Sequence, residues 1–378
     1  MHRILFLMRS LEVGGAERQM VELVKNMDHT RYEIHVVTFY NGGALRPFIE
    51  NIPGVQVTSL GKSSRWDLIS FFRKLIVLIK KFQPDVIQSY LDVPNSFNVV
   101  VAKLLGIKTI VRVGASYIDF SRYDWTASLV YKVGAFLSHF SDKVIANSKA
   151  GKEYNLAHGY SAKNMSIIYN GIDTQTFHPS KLDGTRMRST WNINNDEKVV
   201  GIVGRIDPMK DHPTFLRAAA RVSEQFSNCR FVCVGRGTPA YQQEMIAMAN
   251  TLLNANKVLW INNCKENDIP AAYNAFDILV LSSYGEGLSN ALVEGMACGL
   301  PCVVTDVGDS AFAVGETGLV VPPQDPDSLA NAICAILKMS NLERTDLGQK
   351  ARTRVEDYFS MGKMISAYEA AFDELVKK

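Results

Sequence analysis

The stretch SYGEGLSNALVEGMACGLPCVVT, residues 283–305, decides the fold class, because it predicts a loop, a helix and a strand in that order. The apolar run FDILVLS (276–282) that precedes it is typical of a buried parallel strand. Ser289 or Asn290 can cap the helix, and Gly299 can end it. A helix between two such strands favours a right-handed crossover in a parallel sheet.

The same loop and helix carry two acids that we interpret as functional. Glu286 lies between two glycines, which makes a packing role for its side chain a poor explanation, and Glu294 lies about one turn into the helix. Backbone N–H groups at a helix N-terminus beside small residues can hold a phosphate. Glu294 is then positioned to accept hydrogen bonds from sugar hydroxyls, although an acid on a surface helix is the alternative. A phosphate cradle beside hydroxyl acceptors suits a nucleotide sugar.

The rest of the chain repeats this alternation of strand and helix. Its 378 residues are too many for one ordinary core. Two series of strands predict an α/β protein with two doubly wound, Rossmann-like domains facing across a cleft, where ligands bind. The boundary is expected in the polar, turn-rich segment 170–195. We predict a first domain over 1–178, a second over 179–360, and a last helix over 361–378 that packs back toward the first domain.

The charge is spread unevenly along the chain. Residues 1–178 hold 21 Lys and Arg against 14 Asp and Glu, a balance of +7, and the remaining residues hold 20 against 24, a balance of −4. A basic first half indicates an anionic partner there, and a phosphorylated acceptor or an anionic membrane fits. Nucleic acid is not expected, because the chain has neither a binding motif nor a dense basic run.

Cysteine usage and hydropathy predict the compartment. All six cysteines lie after residue 228, and no histidines complete a zinc pattern beside them. We interpret them as buried, reduced thiols of a cytosolic protein. Neither a signal peptide nor an apolar run of about 18 residues is visible. A cytoplasmic location is therefore expected, with peripheral contact on the inner face of the cytoplasmic membrane as a further hypothesis. No metal or other cofactor is expected, because no clustered carboxylate site for Mg²⁺ is visible.

Two cations follow the apolar strand VVGIV, in the loop GRIDPMKDHP. Arg205 can bind phosphate through paired hydrogen bonds, and Lys210 adds a compact charge five positions later. Together they are candidates to neutralise a diphosphate leaving group, with a solvated basic loop as the alternative. Gly235 and Arg236 end the next strand and are candidates for a nucleotide contact or for an ordinary turn.

A Gly-Gly turn, Gly14 and Gly15, follows the first strand and precedes the helical sequence AERQMVELVKNM. The absent side chains let backbone approach a ligand, and the helix N-terminus favours anions. The turn is not the dinucleotide fingerprint, which requires G-x-G-x-x-G. An anion contact and an ordinary loop both stay open.

The segment WDLISFFRKLIVLIKKF (66–82) is amphipathic at helical spacing. Its apolar face comprises Leu68, Phe72, Leu75, Ile79 and Phe82. Its basic positions are Arg73, Lys74, Lys80 and Lys81. Two interpretations stay open: a core-facing helix with a solvated basic face, or a surface that touches anionic membrane reversibly.

Taken together, these motifs resemble the family 4 retaining glycosyltransferases, which have the GT-B fold. The resemblance spans nearly the whole chain and is carried by GGAER (14–18), VGRIDPMKDHPTFL (203–216), YGEGLSNALVEGMACGLPCVVTD (284–306) and VGDSAFAVGETGLVVPPQDP (307–326). The second and third segments are specific together, and the first is supportive.

The resemblance implies a role for each motif. In similar enzymes the residues matching Arg205 and Lys210 bind the donor diphosphate, and the acid matching Glu294 binds the ribose. The acid matching Glu286 lies near the transferred sugar, and no metal is normally required because the cations replace it. The implied catalytic residues are Arg205, Lys210 and Glu286. Backbone is implied to approach the phosphates at Gly15, Leu288, Ser289, Asn290 and Ala291, and Gly14 is a candidate from the Gly-Gly turn.

The implied reaction moves a sugar from a nucleoside-diphosphate sugar, with UDP as the expected nucleotide, to an acceptor with retention of anomeric configuration. The acceptor is expected to be a glycan or a polyprenyl-diphosphate-linked sugar, in the assembly of surface polysaccharide or oligosaccharide. One departure matters. Many relatives end the fifth strand with a histidine that contacts the donor sugar, whereas KTIVRVGAS (108–116) places Gly114 there, with Arg112, Ser116 and Asp119 nearby. Two alternatives stay open: a nucleotide-sugar epimerase of the same architecture and a non-catalytic nucleotide-sugar sensor.

Overall fold

The computed structural model describes residues 1–64, 67–114, 116, 125–254 and 256–377. It divides into two compact units. The first comprises Met1–Gly171 with Gly362–Lys378, and the second comprises Ile172–Met361. Trp66 and Asp119, named above, lie outside the described residues.

The first unit is built on a parallel sheet. Its described strands are β1 His2–Met8, β2 Tyr32–Thr38, β3 Val55–Ser59, β4 Val86–Tyr90, β5 Lys108–Val113, β6 Lys143–Ala146 and β7 Met165–Ile167. They lie in the order β3-β2-β1-β4-β5-β6-β7. In register, Phe6 of β1 lies between Val36 of β2 and Gln88 of β4. The direction of winding therefore reverses between β1 and β4, as in a doubly wound sheet.

Helices cover this sheet. They are α1 Gly15–Asn26, α2 Arg46–Glu50, α3 Ile69–Phe82, α4 Asp92–Leu105, α5 Trp125–Ser138, α6 Lys149–Ala157 and, from the end of the chain, α15 Met361–Val376. Helix α15 packs through Phe372, whose ring contacts Phe6 and Tyr32. The Tyr32 hydroxyl also donates to Asp373 Oδ1 at 2.6 Å. Aromatic burial and this hydrogen bond therefore anchor the last helix on the first unit.

Helix α3 uses its apolar face in the core of the first unit. Leu75, Ile79 and Phe82 of the predicted face are buried, as is Phe71, whereas Leu68 is exposed. The four basic positions of α3 are all exposed. The core-facing interpretation therefore describes α3, and most of its predicted apolar face is not available to a membrane.

The second unit repeats the architecture with its own parallel sheet. Its described strands are β8 Lys198–Val203, β9 Cys229–Val234, β10 Val258–Ile261, β11 Ile278–Leu281, β12 Cys302–Thr305 and β13 Gly318–Val321, in the order β10-β9-β8-β11-β12-β13. Its helices are α7 Lys181–Thr190, α8 His212–Gln225, α9 Pro239–Leu252, α10 Ile269–Asn274, α11 Asn290–Ala297, α12 Ser310–Val314, α13 Pro326–Lys338 and α14 Asn341–Tyr358, with 3-10 turns at Pro208–Lys210 and Glu266–Asp268. The core between β8, β9 and helices α8 and α13 centres on Phe215, Phe231 and Ile333.

The two compact units divide between Gly171 and Ile172, within the segment 170–195 where the boundary is expected. Ile172, the first residue of the second unit, donates from its backbone N to Phe359 O at 2.8 Å. Met361 N donates to Ile172 O at 3.0 Å on the return of the chain. The two points at which the chain passes from one unit to the other, 171–172 and 361–362, therefore lie next to each other.

Two further features bear on the predictions. None of the helices in the described ranges is long and apolar enough to span a bilayer. The six cysteines are free thiols, and all but Cys264 are buried. Burial raises the pKa of Cys229 to about 12, so this thiol stays protonated at neutral pH.

Candidate functional site

The switch point of the second sheet brings two separate loops together. Strands β8 and β11 are hydrogen-bonded neighbours, although β9 and β10 lie between them in sequence. The loop after β8 contains Arg205 and Lys210, and the loop after β11 contains Glu286. Ligands of open parallel sheets bind in the crevice that such loops form beyond the strand ends.

An ion pair joins these loops. Lys210 Nζ contacts Glu286 Oε1, and both side chains are only 15% exposed. The Ser283 hydroxyl donates to the same carboxylate oxygen at 2.9 Å. A lysine held beside a strand end by a carboxylate is oriented before any ligand binds. The predicted catalytic residues Lys210 and Glu286 therefore lie in one cluster.

Buried hydroxyl groups hold this cluster in place. Ser282 Oγ donates to Lys210 O at 2.8 Å, which ties the end of β11 to the β8 loop. Thr305, at the end of β12, donates its hydroxyl proton to Ser283 O at 2.5 Å, and Leu281 O lies 3.2 Å from the same oxygen. We did not predict these supporting residues, and the only sequence signal was hydroxyl residues directly after apolar strands.

Arg205 lies at the protein surface. Its side chain is 76% exposed, and its Nη2 pairs with Asp207 Oδ2 at 3.1 Å. Asp207 also caps the 3-10 turn, since its Oδ1 accepts from Met209 N at 3.0 Å and from Lys210 N. Exposed ion pairs contribute little to stability. The Arg205 guanidinium can therefore exchange this carboxylate for an anionic ligand at small cost.

Glu294 accepts a hydrogen bond from a tyrosine of α10. The buried Tyr273 hydroxyl donates to Glu294 Oε2 at 2.8 Å. Burial, together with the adjacent Glu294 carboxylate, raises the pKa of Tyr273 well above its usual value, so the phenol stays a donor. Glu294 itself is half-buried, which leaves its carboxylate able to meet a ligand. Tyr273 was not predicted, because nothing in its local sequence distinguishes it from a core aromatic.

The N-cap side chain of α11 makes no capping hydrogen bond. Ser289 occupies the N-cap position, but its hydroxyl makes no cap hydrogen bond. Its Oγ is buried without a hydrogen-bond partner in the described part of the chain. First-turn N–H groups of a helix have no intrahelical acceptor and favour anions. The candidate backbone at Leu288, Asn290 and Ala291 surrounds this terminus.

Two glycines shape the loops around the cluster. Gly308 has φ +56°, and a Cβ there would lie 2.2 Å from Glu286 O and 2.3 Å from Gly287 O. A Cβ at Gly235 would lie 1.8 Å from Gly204 O, so Gly235 is needed for close packing of two loops. Its nucleotide contact stays a prediction. The nucleotide contact of Arg236 also stays a prediction. Its exposed guanidinium donates to Asn262 O at 2.6 Å.

Gly308→Ala is therefore expected to disturb the site without touching a charged group. The added methyl must displace the backbone that carries Glu286, and a positive φ adds strain of about 1 kcal/mol or more. Thermal unfolding should show a lower Tm than the parent, and the thermal shift produced by a nucleotide should shrink. Gly362→Ala has open space around its Cβ position and serves as the matched control. Equal behaviour of both variants would contradict this packing account.

In the first unit, the Gly-Gly turn lies at the start of α1. Gly14 is the N-cap in extended conformation, and Gly15 has no atom within 4 Å of its Cβ position. The space beside Gly14 holds the Glu17 carboxylate, whose Oε2 lies 2.2 Å from the Cβ position. An anion at this turn would have to displace that carboxylate, so the phosphate contact stays a prediction.

Gly114, at the position where many relatives are expected to have a histidine, has polar side chains beside it. A Cβ at Gly114 would lie 3.8 Å from Asn147 Nδ2 and 3.9 Å from Arg112 Nη1. Arg112 is buried, donates to Asn170 Oδ1 at 2.5 Å and lies over the Tyr90 ring. Two polar side chains, those of Asn147 and Arg112, therefore border Gly114.

Comparisons with known proteins agree on one family. A model described as Glycosyltransferase Family 4 matches residues 13–176, and one described as Glycosyl transferases group 1 matches residues 183–354. An Escherichia coli protein named UDP-Gal:alpha-D-GlcNAc-diphosphoundecaprenol alpha-1,3-galactosyltransferase is 23% identical over 96% of this chain and 95% of its own. The N-acetyl-alpha-D-glucosaminyl L-malate synthase of Bacillus anthracis is 24% identical over 97% of this chain and 95% of its own.

Solved structures share the fold. HepE from Anabaena in complex with UDP superimposes with a TM-score of 0.85, at 22% identity, over 98% of this chain and all of that one. Its complex with UDP-glucose gives a TM-score of 0.82 at 23% identity, over 98% of this chain and 99% of that one. The two units with their parallel sheets therefore form the GT-B fold.

Proposed function

Because this chain belongs to the family 4 glycosyltransferases, we propose that it transfers a sugar from a UDP-sugar to a glycan or lipid-linked acceptor with retention of anomeric configuration. The observation that carries the proposal is the Lys210–Glu286 pair at the switch point of the second sheet. In this proposal the Lys210 ammonium would bind the donor diphosphate, and the Glu286 carboxylate would lie beside the transferred sugar. Assembly of surface polysaccharide or lipid-linked oligosaccharide is the process that such a product would serve.

The candidate residues of the second unit fall into two groups, according to the part of the donor that they would bind. Arg205, Lys210 and the N-terminus of α11, where Ser289 has an unused hydroxyl, would hold the diphosphate. Glu294 would accept hydrogen bonds from the ribose, oriented by Tyr273. Two similar proteins support UDP as the nucleotide of the donor. One has UDP-Gal in its name, and the other was solved in complex with UDP-glucose.

The reaction breaks the bond between the anomeric carbon and the diphosphate oxygen. The electron pair of that bond stays on the diphosphate, and Lys210 with the α11 N–H groups stabilises the charge as it develops. The acceptor hydroxyl bonds to the anomeric carbon on the face that the diphosphate leaves. Its proton passes to a diphosphate oxygen on that face. No histidine base is needed for this balance.

The acceptor is proposed from charge and from one relative. The first 178 residues carry the +7 balance, which suits a phosphorylated acceptor. The name of the Escherichia coli relative includes a diphosphoundecaprenol acceptor. A polyprenyl-diphosphate-linked sugar is therefore the first acceptor to test, followed by soluble glycans.

A thermal-shift screen across nucleotide sugars tests donor use. A ligand present at about 100 times its Kd adds about 2.7 kcal/mol of stability, so a UDP-sugar should raise Tm more than its GDP or ADP counterpart. The selected donor is then incubated with and without acceptor. Product with donor alone would identify an epimerase, and binding without turnover on any acceptor would identify a sensor.

Turnover is expected to persist in excess EDTA. Arg205, Lys210 and helix N–H groups would bind the diphosphate in place of a divalent ion, so no added metal should be required. The measurement is the initial rate with and without chelator, compared with a Mg²⁺-dependent transferase in the same buffer. Activity abolished by EDTA and restored by Mg²⁺ would contradict this part of the mechanism.

A further inference from the structure

We propose that the outward face of helix α5, together with the adjoining end of α4, docks the protein on an anionic phospholipid bilayer. The proposal concerns a surface remote in sequence from the donor-site residues, and its test does not depend on which sugar is transferred. It also differs from the α3 contact considered from the sequence, because most of the apolar face of α3 is buried.

Helix α5 presents its apolar residues to solvent. Five of its positions are exposed, and four of these are the large apolar residues Trp125, Leu129, Val133 and Phe136. They recur at spacings of three and four, and Phe140 continues the stripe just beyond the helix. Trp125 is 74% exposed and Phe136 is 65% exposed. The opposite side of α5 is the one that enters the core, through Tyr131 and Ala135.

The adjoining helix also exposes apolar residues. Helix α4 packs beside α5 and exposes Val100 and Leu104, the latter by 65%. Single exposed apolar residues need no explanation, but a contiguous apolar face indicates an interaction surface. Amphipathic helices that lie in a membrane interface combine such a face with Trp or Phe and with flanking lysines.

The charges beside the stripe favour an anionic partner. The fifth exposed position of α5 is Lys132, and no acid occurs from Trp125 to Ser141. A pocket of about 630 Å³ adjoins the end of the stripe and contains Phe140, whose ring contacts Phe136 at 5.5 Å. Its basic lining is His139, Lys103, Lys108, Lys143 and Lys163.

Part of this basic pocket is neutralised internally. Lys108 pairs with Asp142 at 3.6 Å, and Lys143 pairs with Glu374 at 2.6 Å. Lys103 and Lys163 are exposed and have no ion pair with a described residue. These two lysines, with Lys132 in the stripe, suit the phosphates of anionic headgroups. Each basic residue near such a surface contributes about 1 kcal/mol.

A second copy of the chain is a poorer occupant of this face. Self-association through the stripe would bring the Lys132 of each copy toward the other, and the unpaired lysines of each pocket would add like charge. Like charges juxtaposed across an interface cost affinity. A bilayer with anionic lipid would bury the apolar stripe, and its headgroups would neutralise Lys132, Lys103 and Lys163.

Flotation of the full chain with liposomes tests the proposal. The protein should float with vesicles of phosphatidylglycerol and phosphatidylcholine, remain at the bottom with phosphatidylcholine alone, and float less in high salt. The double variant Leu129→Ser/Phe136→Ser and the double variant Lys103→Glu/Lys163→Glu should both fall to the level seen with phosphatidylcholine. The exposed α3 pair Lys80→Glu/Lys81→Glu should float like the parent.

A matched control removes equally exposed apolar residues elsewhere. Leu182 and Leu342 of the second unit are 82% and 83% exposed, so Leu182→Ser/Leu342→Ser should float like the parent. All variants should keep the parent Tm and the thermal shift with the selected nucleotide, which separates this surface from the donor site. Equal flotation of the parent with both vesicle types, or unchanged flotation of Leu129→Ser/Phe136→Ser, would overturn the proposal. A parent dimer that this variant dissociates, without liposome binding, would assign the face to a second copy.

Discussion

Lys210→Ala is expected to lower kcat/KM for sugar transfer by about 10²–10³-fold, the loss typical of removing one donor to a developing oxyanion. Lys210 is the half-buried cation at the switch point, where it contacts Glu286. Its removal takes away the charge proposed to stabilise the leaving diphosphate and leaves the carboxylate unpaired. The measurement is the initial rate over a range of donor concentrations.

The control for this variant is Lys350→Ala. Lys350 pairs with Asp346 at 2.7 Å on an exposed face of α14, so the control removes a lysine from an exposed ion pair outside the site. Its rate should equal that of the parent. A Lys210→Ala enzyme that is folded by circular dichroism and retains the parent kcat/KM would contradict the catalytic assignment.

Glu294→Ala is expected to raise the Kd for UDP by about 10-fold to 150-fold. The estimate takes about 1.5–3 kcal/mol for a hydrogen bond to a charged group, at about 1.4 kcal/mol per tenfold change. Tyr273→Phe removes only the hydroxyl that orients Glu294, so it should raise the Kd by less. Isothermal titration calorimetry with UDP measures both.

Glu316→Ala serves as the control, because Glu316 is an exposed acid of the same unit. Its Kd should match that of the parent. If Glu294→Ala binds UDP as tightly as Glu316→Ala does, the ribose assignment is wrong, whatever the sugar transferred.

The sheets were predictable from the sequence because their strands are short apolar runs between turn residues. Strand β11, Ile278–Leu281, lies within the predicted run 276–282, and strand β8, Lys198–Val203, covers the predicted strand VVGIV. Helix α11 follows the predicted pattern too, with Ser289 at its N-cap and Gly299, at φ +75°, just after its end. Burial on both faces produces a continuous hydrophobic pattern, which is a strong local signal.

The site was only partly predictable. Lys210 and Glu286 were each predicted, but their contact spans 76 positions and depends on which strands are neighbours in the sheet. Tyr273 and Thr305 act through contacts that no local pattern reveals. Helix α3 illustrates the same limit, since an amphipathic pattern does not tell a core from a membrane. In α3 most of the apolar side is buried, whereas in α5 apolar residues occupy nearly every exposed position.

The most direct test of retaining transfer is the anomeric configuration of the first product. The donor selected by thermal shift, with a known anomeric configuration, is incubated with the acceptor, and proton NMR is recorded before any product can equilibrate. The account predicts that the anomeric coupling of the new glycosidic bond matches that of the donor, because the acceptor bonds on the face that the diphosphate leaves. A product with the inverted anomeric configuration would contradict it.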